Sequence, residues 1–107
     1  MKKIIFLVGS LIYFLGVSFT YAKSEEKLGI CKFYESLAEI VMDARQKGVP
    51  MSELYAKDYG SKDRNEITRG LIKEAYEIPR FNSEKSKKNA ILDFKNEKFG
   101  KCIRNIK

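Results

Sequence analysis

The chain has 107 residues, with 21 Lys and Arg against 14 Asp and Glu, and a formal net charge of +7. That length allows one small domain and excludes a multidomain machine, and a 44% apolar fraction suits a globular chain, not a disordered one. There is no His, which removes a Ser-His-Asp triad, a Cys-His pair and any His-ligated metal supplied by this chain alone.

Met1-Lys2-Lys3 precedes a run from Ile4 to Phe19 without a charged residue, and Thr20-Tyr21-Ala22 places small residues at the −3 and −1 positions of a cleavage site. A basic start, an apolar stretch and a small-residue end are the three parts of a secretory signal peptide. The competing reading is an uncleaved anchor. An apolar stretch of about 16 to 19 residues falls short of the roughly 20 that span comfortably, and Gly9 and Gly16 interrupt it. The expectation is a signal peptide over 1–22, cleaved after about Ala22, and a single helical domain over 23–107. The mature chain would be periplasmic or secreted, with no stable membrane span. Its core must come from about 85 residues, a size at which chains often rely on a covalent staple.

From Glu25 to Lys47, Leu28, Cys31, Tyr34, Leu37, Ala38, Val41 and Ala44 recur at helical spacing. Ile30, Phe33, Ile40 and Met42 widen that stripe, and Lys32, Glu35, Glu39, Asp43 and Gln46 form the opposite face. Gly48 stands where a left-handed C-cap belongs, and Pro50 cannot continue the helix. Ser52–Tyr59 reads as a short helix stopped by Gly60. Asp63-Arg64-Asn65-Glu66 reads as an Asp capping box, opening a helix through Ile67, Leu71, Ile72 and Ala75 that ends near Ile78 before Pro79. Asn82 or Ser83 then caps a last helix over about Ser83 to Lys98, extendable through Cys102, with a phase slip near Gly100 and apolar positions to Ile106. No stretch alternates as a strand would, and no repeat of 20 to 50 residues is present. The fold class is all-α: a compact bundle of three to four helices.

Cys31 and Cys102 are the only cysteines. An even count in an exported chain reads as a disulfide, here closing nearly the whole domain. The chain-entropy gain would be on the order of 4 kcal/mol. A free or intermolecular pair is the alternative. Two isolated cysteines are too few for a closed zinc site and lack the Cys-x-x-Cys spacing of a redox enzyme.

The charge is uneven. Residues 23–79 hold 10 basic and 11 acidic side chains, whereas residues 80–107 hold 9 basic and 3 acidic. Arg80, Lys85, Lys87 and Lys88 open that basic stretch. A solvated face is one reading, an acidic partner or anionic envelope surface another. Nucleic acid is disfavoured by export and by the absence of a recognised binding motif. Tyr55 and Tyr59, four apart on a short segment, suit a protein-contact patch, since Tyr is enriched at interfaces; the competing reading is packing. Glu35 and Glu39 share a helix face but alternate with Lys32, which favours solvated charges over acid–base catalysis. There is no Gly-rich phosphate loop and no Gly-x-Ser-x-Gly.

Cys31, Ala44-Arg45-Gln46-Lys47-Gly48, Ala75-Tyr76-Glu77-Ile78-Pro79 and Cys102 occur in an order that resembles a broad group of small exported Gram-negative proteins. That resemblance implies a helical, disulfide-closed domain in the envelope and supplies no catalytic residue. Periplasmic immunity proteins are also similar in size, export and helical make-up. The expected function is non-enzymatic binding of an envelope or exported protein partner of acidic character. It uses no cofactor or metal, and draws on Tyr55, Tyr59, Arg80, Lys85, Lys87 and Lys88. The alternative is a structural or stress-related factor that binds anionic envelope material through its basic C-terminal helix.

Overall fold

In the computed structural model the backbone of residues 2–105 and the side chains of residues 24–105 are described. The signal peptide expected over 1–22 lies outside the described side chains, and so do Ile106 and Lys107. Four helices follow in order: α1 (Lys2–Lys47), α2 (Met51–Tyr55), α3 (Lys62–Ala75) and α4 (Glu84–Asn105). There is no strand among the described residues. The chain divides into two units, Met1–Ile30 and Cys31–Lys107. In the first, Leu28 and Ile30 are exposed. The second is the helical bundle.

α1 stops at Lys47 because Gly48 adopts φ +87, open to glycine at little cost. The Gly48 N–H donates to the Arg45 carbonyl at 3.1 Å and the Val49 N–H to the Ala44 carbonyl at 3.0 Å, the paired bonds of a Schellman motif. α2 is shorter than the helix read over Ser52–Tyr59. It begins directly after Pro50, which offers no side-chain cap, and ends at Tyr55. α3 is capped by Ser61, whose hydroxyl accepts from the Arg64 N–H at 3.2 Å, and not by Asp63. Ser61 has the extended backbone a cap requires, whereas Asp63 already lies in the first turn and favours the positive helix end. α3 ends at Ala75, followed by turn bonds to Ile78. Ser83 begins α4 by accepting from the Ser86 N–H at 3.1 Å. α4 then runs through Gly100, because Phe94, Lys98 and Cys102 keep one face in register at intervals of four.

Contacts along the helices fix their directions. The Arg64 guanidinium lies over Phe33 near the start of both α3 and the bundle part of α1, and Arg45 lies over Tyr76 near their ends. α3 therefore runs the same way as α1. Two helices of one sense need a return path, supplied by residues 48–61. Three contacts step backwards along α3: Tyr76 to Val49, Arg69 to Tyr55, and Asn65 to Tyr59. α4 runs opposite to α1, joined by the Cys31–Cys102 disulfide at one end and the Glu39–Lys95 ion pair further along.

The core draws Ala38, Val41 and Met42 from α1, Leu54 from α2, Leu71, Ile72 and Ala75 from α3, and Phe94 from α4. Full burial of one large aliphatic side chain stabilises the fold by roughly 1.5–3 kcal/mol. Of the residues that widen the α1 stripe, Met42 is buried, whereas Ile30, Phe33 and Ile40 are about half exposed. Gln46, read as part of the polar face, is 1% exposed. Its Nε2 donates to the Pro79 carbonyl at 3.0 Å and its Oε1 accepts from the Phe81 N–H at 2.9 Å. Arg45 Nε donates to the Ile78 carbonyl, and Arg80 Nε to the Gln46 carbonyl, each at 3.0 Å. The stretches 44–48 and 75–79 are thus two halves of one hydrogen-bonded junction.

Candidate functional site

Three tyrosines lie along the α2–α3 seam, and the fold treats them differently. The Tyr76 hydroxyl donates to the Val49 carbonyl. The Tyr59 hydroxyl donates to the Leu54 carbonyl at 2.7 Å, and its N–H donates to Asn65 Oδ1 at 2.6 Å. Burial raises the pKa of both, with nearby arginines (Arg69 for Tyr59, Arg45 for Tyr76) pulling the other way. Tyr55 is the exception. It is 36% exposed, and its hydroxyl makes no hydrogen bond among the described residues.

Tyr55 is nonetheless held in place. Arg69 Nε donates to the Tyr55 carbonyl at 3.1 Å, and its guanidinium carbon lies 5.3 Å from the ring centroid. Lys73, one turn further along α3, places Nζ 5.9 Å from the same centroid. Cations at this range are attracted to the electron-rich ring face. Beside the ring opens a shallow cleft of about 560 Å³, lined by Met51, Ser52, Tyr55, Ala56 and Lys73. Its surface is almost wholly apolar. The size is within the range of small-ligand and side-chain pockets.

Arg80 has an internal role: its Nε and Nη2 donate to the Gln46 and Lys47 carbonyls, and its guanidinium covers Gly48. Lys85 and Lys88 are exposed and Lys87 half-buried on the first turns of α4, none in an ion pair among the described residues. Lys98, part of the same basic stretch, is 3% exposed, with Nζ 2.6 Å from Glu74 and 3.5 Å from Glu97. Burial opposes its charge, but the hydrogen bond and charge of Glu74, aided by Glu97, outweigh burial and hold the ammonium above the ordinary Lys range. Glu39 pairs with Lys95, so the Glu35/Glu39 face includes a structural ion pair. Among the described residues no cluster of Cys, Asp or Glu could hold a metal ion, and no helix is long and apolar enough to cross a membrane.

The structure thus brings Tyr55 together with Met51, Arg69 and Lys73, none of which sequence reasoning selected. The signal was available as two pairs at i, i+4: Met51 with Tyr55, and Arg69 with Lys73. What sequence alone does not give is that the two pairs face each other. No protein-family model, curated protein or solved structure matches the chain.

Proposed function

We propose that this protein is a non-enzymatic helical binding protein of the cell envelope or its exterior, which engages a protein partner through the Tyr55 face. The observation that carries this reading is the contrast among the tyrosines. Tyr59 and Tyr76 spend their hydroxyls on backbone carbonyls, while Tyr55 is oriented by α3 and left half open beside Met51. A positioned aromatic next to a flexible thioether and an arginine is the residue set that dominates interface energetics. The disulfide supports an oxidising compartment, in keeping with export.

A second reading is supported by Lys85, Lys87 and Lys88, which carry no ion pair among the described residues: association of α4 with anionic envelope material. Capture from envelope extract by the oxidised chain separates the two. A stoichiometric protein retained in high salt and lost with Tyr55→Ala is the outcome expected for the first reading. Recovery of anionic material alone, released by salt and insensitive to Tyr55→Ala, would replace it with the second.

A further inference from the structure

The partner's chemistry can be narrowed from the cleft itself. We infer that the cleft between α2 and α3 takes an acidic, apolar-anchored segment of the partner protein: an apolar side chain on Met51, Tyr55 and Ala56, with a neighbouring Asp or Glu carboxylate on Lys73 Nζ. This rests on the binding reading above and goes further by fixing the charge of what binds.

The argument is one of complementarity. The cleft walls are almost wholly apolar, no carboxylate-bearing residue lines them, and the one basic residue in the lining is Lys73, whose Nζ lies 5.9 Å from the Tyr55 ring centroid. Lys73 forms no ion pair among the described residues, in contrast to Lys47, Lys95 and Lys98, each of which has an acidic partner within 4 Å. Of the acidic residues nearest Tyr55 in the chain, Glu53 lies on α2 but does not line the cleft, and the Asp58 carboxylate accepts from the Gly60 N–H and from Asn65 Nδ2. Arg69 adds a second cation behind the Tyr55 ring. Two cations already attracted to one aromatic ring disfavour a cationic ligand there and favour an anionic one. Residues 23–107 hold 19 basic and 14 acidic side chains, the excess lying in residues 80–107, and that excess would steer an acidic partner toward the molecule at low salt.

Capped dipeptides test this without knowledge of the partner. N-acetyl-Phe-Glu-amide and N-acetyl-Phe-Gln-amide share shape and apolar anchor and differ in one charge. Titrated into the ¹⁵N-labelled oxidised chain, both should shift the amide signals of Ser52, Tyr55, Ala56 and Lys73. The Glu peptide should bind about threefold tighter at low salt, the size of an exposed ion pair. Lys73→Gln should abolish that preference and leave the Gln peptide unchanged, whereas Tyr55→Ala should weaken both by about fivefold or more. Equal binding of the two peptides, or shifts confined to other surfaces, would overturn the carboxylate assignment. So would silence from both. If the dipeptides fail while Tyr55→Ala still abolishes capture of the partner, the binding reading stands and only the charge assignment falls. If Tyr55→Ala leaves capture intact, the binding reading itself falls.

Discussion

Gln46 Nε2 donates to the carbonyl of Pro79 across 33 residues of sequence, and the same carboxamide accepts from the N–H of Phe81. One buried side chain therefore satisfies both polar groups where the chain turns from α3 toward α4. Gln46→Ala leaves a part-buried carbonyl and N–H without their partner. The expected loss is about 1–3 kcal/mol, from two bonds at roughly 0.5–1.5 kcal/mol each. Urea unfolding reads it as a lower midpoint at unchanged slope, and a loss under about 0.5 kcal/mol would mean that water replaces the side chain.

Gly48 gives a second test of that junction. A Cβ there would stand 2.8 Å from the Arg80 guanidinium carbon, on backbone at φ +87. Gly48→Ala combines a disfavoured backbone with displacement of the group that caps α1, and should destabilise by about 1–2 kcal/mol. Arg80→Ala removes the clash as well as the cap. In the double variant the two effects should fall short of their sum, which thermal unfolding of the four chains in the cycle would reveal.

Cys31 and Cys102 are 71 residues apart, and Cys31 is fully buried. Replacing both with Ala should cost on the order of 4 kcal/mol, a large share of the ~5–15 kcal/mol of a typical domain. A midpoint unmoved between oxidised wild type and the double variant would show that the helices need no covalent tie.

Lys98 couples stability to alkaline pH. Its ammonium is held above its ordinary range in the folded chain, chiefly by Glu74. A raised pKa stabilises the fold below the unfolded value of about 10.4, and the contribution disappears as pH climbs through the higher folded value. Glu74→Gln removes the partner and leaves a buried charge. The expected loss is about 1–3 kcal/mol near neutral pH, less than for a fully buried pair because Glu74 is half exposed. The gap between wild type and variant should narrow above the folded Lys98 value. A gap constant from pH 7 to 12 contradicts the coupling.

Tyr55 and Tyr59 should separate in a stability measurement. Tyr55→Ala removes an exposed ring and should change stability by under about 1 kcal/mol. Tyr59→Ala loses a core-packed ring and the hydroxyl's bond to the Leu54 carbonyl, and should cost about 2–3 kcal/mol. Equal losses would place both rings in the fold.

The helices were readable because their signals are local. The apolar spacing of Leu37, Ala38 and Val41, the Gly48 stop and the Ser83 cap each act within a turn or two of chain. Gln46 was misread, and the burial of Lys98 not foreseen, for the opposite reason. Both are polar by composition, and the groups that make their burial tolerable, the Pro79 carbonyl and the Glu74 carboxylate, come from distant segments. Ser61 was passed over because Asp63 and Glu66 imitate a capping box two residues later. At the candidate site Tyr55 was selected with Tyr59 on spacing alone. Only the three-dimensional fold distinguishes them, through the Leu54 carbonyl and Asn65 on one side and Arg69 and Lys73 on the other.

The shared direction of α1 and α3 has a consequence for the order of assembly. The two cannot pair with each other by simple hairpin closure, and the contacts that lock α1 to the later chain span 33, 35 and finally 71 residues. In the folded chain the two sulfurs meet because α4 has come back alongside α1. The native pairing thus closes a 71-residue loop, a non-local contact of the kind that forms slowly. Oxidation before folding would shorten the search for that pairing, and oxidation after it would hold the result.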